Sequence, residues 1–159
     1  MHPAPNPEFM RRAIALASDN VRSGRGGPFG AVVVRDGQII GEGANSVVRA
    51  NDPTAHAEVE AIRAACRALG TFTLKGAEIY ASCEPCPMCL AAIYWARMDH
   101  IWFGNSSADA ARIAFDDARL YREIASPSHE RTIPSSMHLR DEAQESFQLW
   151  LQTPNKTLY

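Results

Sequence analysis

Two short segments constrain this chain more than any other part of it. His56-Ala57-Glu58 and Pro85-Cys86-Pro87-Met88-Cys89 lie far apart in sequence, yet between them they carry three side chains suited to one metal ion and a carboxylate that is not needed to bind it. An imidazole and two thiolates satisfy the preference of zinc for nitrogen and sulfur donors, and they leave a fourth tetrahedral position for water. Two thiolate charges cancel those of the ion, and a neutral site acidifies its water effectively, toward a pKa of about 7. Cys86 and Cys89 are three apart, so on a helix their sulfurs share a face. Residues two apart do not share one. His56 is therefore expected at or just before the first turn of a helix, if Glu58 is to reach the same water.

Other readings use the same cysteines. A lone C-x-x-C also serves as a redox pair, a structural zinc half-site or two core thiols. Cys83 extends the spacing to Cys83-x-x-Cys86-x-x-Cys89, which suits three ligands of an iron–sulfur cluster or a closed, four-ligand structural zinc site. Neither of these uses Glu58. Cys66, the remaining cysteine, reads as a packed thiol on a helix. Cys83 is expected beside the metal and not on it, with any redox role left open.

Composition narrows the partners. A chain of 159 residues, 46% hydrophobic, suffices for one globular domain over residues 1–159 with a sizeable core. Its formal net charge is −2, its only lysines are Lys75 and Lys156, and its arginines are scattered. No basic stripe follows a phosphate backbone, so a small, weakly charged substrate is favoured over nucleic acid. No apolar run is long enough to span a membrane, and Met1-His2-Pro3-Ala4-Pro5 lacks the pattern of a secretory signal. Free cysteines grouped for a metal fit a reducing compartment, so a cytoplasmic location is expected.

Along the chain, Asn6 and Pro7 open a helix that ends at Gly24. The glycine-rich Gly24–Gly30 stretch lacks the Lys-Ser or Lys-Thr of a phosphate loop. Strands over Ala31–Val34 and Gln38–Ile40 flank Asp36-Gly37, a hairpin signal. A helix after Asp52-Pro53 runs to Leu69, a strand covers Glu78–Ala81, and a helix covers about Cys86–Ala96. Ile101–Phe103 reads as a strand, about Ala108–Ile124 as a helical stretch broken near Phe115, Met137–Leu139 as a strand, and Asp141–Leu151 as the last helix. Strands alternating with helices give an α/β sheet covered on both faces.

The zinc motif is that of the zinc deaminases. Further segments extend the match: Gly27-Pro28-Phe29-Gly30-Ala31, Asn51 to Glu58, Ser82 to Cys89, Ala92 to Arg97, Phe115-Asp116-Asp117, Glu130 to Pro134 and the final Tyr159. Together they resemble the bacterial guanine deaminases of the cytidine-deaminase-like superfamily, from about Phe9 to Tyr159. That resemblance implies a three-layer α/β/α sandwich around a five-stranded mixed sheet, and one Zn2+ per subunit held by His56, Cys86 and Cys89. It implies a homodimer in which the segment 141–159 closes the active site, with exchange of that segment between subunits as one form of closure. The implied reaction is hydrolytic deamination of guanine to xanthine and ammonia, with Glu58 shuttling protons and Asp117, chosen over Asp116, as a second catalytic carboxylate. Asn45, Phe29, Ala57, Trp95 and Tyr159 match positions that bind the base. Rival readings are deamination of another amino-heterocycle, a nucleoside or tRNA adenosine and, in a different class, a non-catalytic zinc module. The missing basic surface weighs against tRNA.

Overall fold

The computed structural model describes residues 4–159, so the reading of the first three residues lies outside it. The chain divides into two compact units, Met1–Ala118 and Arg119–Tyr159. The first is built on four strands: β1 (Gly30–Arg35), β2 (Gln38–Ala44), β3 (Ala77–Cys83) and β4 (His100–Asn105). Their order is β2-β1-β3-β4. β1 runs antiparallel to both β2 and β3, and β3 runs parallel to β4, which makes the sheet mixed. Asp36 and Gly37 join β1 to β2 with φ of 51° and 73°. Two successive positive φ values are what a two-residue hairpin of matching twist requires, and Gly37 adopts one without a steric penalty.

Strand periodicity sorts the apolar residues onto two faces. Val32, Val34 and Tyr80 point to one side and pack with Ala13 of α1 (Pro7–Arg22). Ala31, Val33, Ile79 and Ala81 point to the other, where they meet Ala57, Ala61 and Ala65 of α3 (Ala57–Leu69) and Ile93 of α4 (Pro87–Trp95). Each fully buried Val or Ile contributes about 1.5–3 kcal/mol. A one-turn helix, α2 (Val47–Ala50), precedes α3, so the expected helix after Asp52-Pro53 starts only at Ala57.

The alanines at 57, 61 and 65 form a small-residue stripe that lets α3 lie almost on the backbone of β2. A Cβ added to Gly43 would come within 2.1 Å of the Ala57 carbonyl oxygen. That close approach fixes the start of α3, and hence His56 and Glu58, against the sheet.

The helical stretch after β4 breaks where expected. α5 (Ser107–Ala111) ends in a turn with Ala114 at φ 70°, and α6 spans Ala118–Ala125. The second unit holds α6, a 3-10 turn (Ser128–Glu130) and α7 (Arg140–Gln152). Within it the Thr132 N–H donates to Glu123 Oε2 at 2.9 Å, and Arg131 Nε donates to the Ser126 carbonyl at 3.1 Å. None of its residues is buried.

The expected fifth strand is a correction. Met137–Leu139 is irregular, Met137 is exposed, and Leu139 sits at φ 50°, a left-handed conformation that ends extended backbone. The sheet of the described residues has four strands, not five. Among those residues no helix is long and apolar enough to cross a membrane.

Candidate active site

The metal donors come from the starts of two helices, and two of the three are N-caps. His56 precedes α3 with φ −71° and ψ 158°, and Cys86 precedes α4 with φ −65° and ψ 168°. Each gives its carbonyl to the first helical hydrogen bond, from Glu60 N–H at 2.9 Å and Leu90 N–H at 2.8 Å. Neither uses its side chain as a cap. Both side chains are thereby available to a ligand, and the unpaired N–H groups of two first turns favour negative charge between them. Pro87, at the first helical position of α4, removes an N–H that would find no helical partner. Cys89 follows on the first turn of that helix, and Glu58 on the first turn of α3. The extended backbone at His56 lets it share a site with Glu58 two residues on.

The donor geometry fits zinc. Cys86 Sγ and Cys89 Sγ lie 3.6 Å and 3.5 Å from His56 Nδ1. A tetrahedron with metal–sulfur and metal–nitrogen bonds of zinc length has nitrogen–sulfur edges of about 3.5 Å. All three donor atoms lie within 4.8 Å of one another, and they form the only such group among the described residues. Cys83 is outside it and donates its thiol to the Ser106 carbonyl at 3.7 Å. The arrangement supports neither a fourth cysteine ligand nor a three-cysteine cluster site.

Charge at the site is arranged for a dication. The Cys86 thiol is held down to about 4 by its hydrogen bond with Cys89, opposed by burial and reinforced by His56. Cys89 is pushed up, first by that same hydrogen bond and then by burial and by the neighbouring Glu58. Metal binding needs both sulfurs as thiolates, so an ion bound here would displace the proton that Cys89 keeps. The hydrogen bond to Cys86 raises His56. Burial raises Glu58, whose Oε2 accepts from Cys89 Sγ at 3.4 Å. Cys83 is pushed to about 11 by burial, with Glu58 as the next cause.

These residues open onto a cavity of about 220 Å³ in the first unit. His56, Glu58 and Cys86 form its floor, and Asn45, Val47 and Phe29 flank it. Phe115 meets Phe29 edge to face, with centroids 4.8 Å apart. Asp117 lines the cavity and is raised mainly by burial, with Cys86 the next cause. Asp116 instead accepts from the Ala118 N–H at 3.0 Å, at the start of α6.

Ala57 is buried at the first position of α3. Trp95 is not brought to this cavity. It is 66% exposed at the end of α4, where it lines a surface depression with Ala91, Tyr94 and Arg97. Tyr159 belongs to the second unit and is exposed.

Some residues in the cavity or behind it carried little sequence signal of their own. Asn20, buried on α1, donates to the carbonyls of Gly27 at 2.9 Å and Asn45 at 2.8 Å, which ties two cavity walls together. In the sequence it is one polar residue in an amphipathic helix. Val47, Cys83, Glu84 and Phe115 also line the cavity. Cys83 and Glu84 fall in the matched run from Ser82 to Cys89 and Phe115 in the one that ends at Asp117, whereas Val47 had no such hint.

A mixed sheet that presents a His-Cys-Cys donor set and a free glutamate at two helix starts defines a zinc hydrolase site. Residues 4–105 match the cytidine and deoxycytidylate deaminase zinc-binding region, and the chain belongs to that family. Within it the chain is similar to a guanine deaminase of Bacillus subtilis (strain 168), 52% identical over 95% of this chain and 97% of the relative. The crystal structure of guanine deaminase from Bacillus subtilis superposes with a TM-score of 0.94 at 50% identity, over 98% of this chain and 99% of the other. A guanine deaminase from Nitrosomonas europaea aligns with a TM-score of 0.67 at 31% identity, over 74% of this chain and 68% of that one. Similarity to a tRNA-specific adenosine deaminase of Agrobacterium fabrum is 49%, but over 48% of this chain and 51% of that protein.

Proposed function

We propose that this protein is a zinc-dependent guanine deaminase, which hydrolyses guanine to xanthine and ammonia in the cytoplasm. The observation that carries this reading is Glu58, a buried carboxylate beside three zinc donors that is not itself one of them, in a chain similar along nearly its whole length to a guanine deaminase. His56, Cys86 and Cys89 would hold the zinc, which when bound supplies hydroxide at neutral pH by acidifying a water.

Glu58 does the proton work. It accepts the proton of the attacking water, delivers it to ring N3 of guanine, and then helps protonate the amine that leaves C2. Burial suits it to this role, because it raises the carboxyl and so makes a transferred proton easier to hold between steps. Asn45 offers an amide that donates and accepts at once, as a purine edge demands. Phe29 supplies an aromatic face, Ala57 a small neighbour at the start of α3, and Asp117 a carboxylate for the exocyclic amine.

The protein acts as a homodimer, with the segment 141–159 closing the site. Tyr159 then belongs to that closing segment, and Trp95 contributes through the association of two copies. Two features support this: Tyr94 and Trp95 expose aromatic surface together on α4, and the second unit buries none of its apolar side chains. Large apolar exposure of this kind marks interaction surfaces. Removal of residues 150–159 is expected to raise KM and lower turnover, and unchanged kinetics would refute the closure.

The test of the activity is ammonia release by zinc-loaded protein given guanine at neutral pH. Ammonia and xanthine in equal amounts are expected. Ammonia release from cytidine or guanosine, with none from guanine, would overturn the substrate.

A further inference from the structure

The cavity wall that carries Phe115 and Asp117 is poorly supported by its own helix. α5 has five residues, too few to be stable alone. Its supports come from elsewhere. Ser106 and Asp109 form a reciprocal capping box, and Ala110 is buried. The Phe115 N–H returns to the Ala110 carbonyl at 3.1 Å, which fixes the turn leading to Asp117.

The remaining tethers all reach back to the end of β3. Asn105 Nδ2 donates to the Ser82 carbonyl at 3.2 Å, and the Glu84 N–H donates to the Asn105 carbonyl at 2.8 Å. Cys83 donates to the Ser106 carbonyl. Glu84 Oε2 accepts the Ser107 N–H at 2.8 Å. Glu84 stands one proline away from the zinc ligand Cys86 and lines the same cavity. Among the described residues outside α5, it is the one that bonds directly to the first turn of that helix with a carboxylate, and hydrogen bonds to charged acceptors are stronger than neutral ones.

We propose that Glu84 is a positioning residue for guanine deamination: by holding the first turn of α5 to the end of β3, it sets the Phe115–Asp117 wall at its working distance from the metal donors. This rests on the guanine reading above. Glu84 acts through Asp117 and Phe115 and makes no proton transfer of its own.

The hydrogen bond can be cut from either end. Ser107 occupies the first helical position, where proline fits, and Ser106 before it is extended at φ −82° and ψ 166°, as a residue preceding proline should be. S107P therefore removes the N–H and leaves Glu84 in place. E84L removes the acceptor, whereas E84Q keeps an acceptor oxygen. In zinc-loaded protein, E84L and S107P are each expected to lower kcat/KM for guanine by about ten- to hundredfold, mostly through KM. Zinc content should stay at that of the parent, E84Q should stay within a few-fold of it, and the E84L/S107P double variant should be no worse than the worse single.

Damage in E84L with parental kinetics in S107P would overturn the proposal, since Glu84 would then be meeting the substrate itself. So would additive losses in the double variant. Amide hydrogen exchange of the zinc-loaded protein without guanine gives a reading independent of activity. Faster exchange across Ala110–Asp117 in E84L and S107P, with the sheet unchanged, is expected, and unaltered exchange there would contradict the tether. If the parent fails to turn over guanine, the functional reading falls, while the exchange result still judges the tether.

Discussion

The floor and the far wall of the cavity are held by different physics. The floor, His56, Glu58 and Cys86 with the metal donor Cys89 beside it, rides on the starts of α3 and α4, and both helices pack on a sheet face of buried alanines, valines and isoleucines. The wall, Phe115 and Asp117, follows a five-residue helix that is fastened by hydrogen bonds from loop and strand ends. Close packing gives the floor one geometry and makes it costly to deform. Individual hydrogen bonds contribute about 0.5–1.5 kcal/mol net, so the wall depends on several small tethers acting together. The difference divides the cavity: the elements that carry the metal donors are packed on the sheet, and the segment that carries Phe115 and Asp117 is tethered.

That contrast can be tested, beginning at the floor. C89S removes a thiolate donor from a three-donor set, so zinc should be lost and ammonia release should fall to background. Metal analysis of the purified variant checks it, and retained zinc with full activity would break the donor assignment. On the wall, D117N should keep the parental zinc content and lower kcat/KM by about ten- to a hundredfold, as expected for one charged hydrogen bond to the substrate. An equal loss of zinc in D117N would show that the two regions are not separable.

The packing claim is sharpened by G43A. Its Cβ would fall 2.1 Å from the Ala57 carbonyl, so α3 must move off β2, at about 1–3 kcal/mol of stability. A thermal melt should show the drop, accompanied by weaker zinc retention. The smallest effect belongs to the outer surface, where Arg12 Nε and Nη2 donate to Glu42 at 2.7 and 2.6 Å. The Arg12 hydrogen bonds hold the Glu42 carboxyl below its usual value, against some desolvation. A carboxyl depressed in the folded state stabilises above its unfolded pKa and loses that contribution as pH falls through the folded one. R12A should therefore cost roughly 0.2–1 kcal/mol near neutrality and nothing at a pH well below the carboxylate range, as denaturation at the two pH values would show.

The same division explains what the sequence disclosed. The hairpin was legible because Asp36-Gly37 needs its particular backbone, and the site of His56 was legible because a two-residue spacing cannot share a helical face. The metal donors were legible because few residue types bind zinc, and they sit in fixed motifs. Asp117 was legible only through resemblance, since a pair of aspartates has many ordinary uses and one of them, capping α6, is taken by Asp116. What Asn20 and Glu84 hold in place was hidden, because their partners are backbone groups, which any residue carries. The missing fifth strand shows a related weakness. Met137–Leu139 has apolar residues, but Leu139 turns left-handed, and the segment holds no β-branched residue.

The most direct test is E58Q, read for zinc and for xanthine in the same preparation. Glutamine keeps the shape of Glu58 and removes its ability to carry a proton, and Glu58 is not among the metal donors. Zinc should remain at about one per chain while xanthine formation from guanine falls by ~10²–10⁴-fold, the usual worth of a positioned acid–base group. Turnover near that of the parent would show that Glu58 does not carry the protons, and loss of zinc together with activity would show that it belongs to the metal site instead.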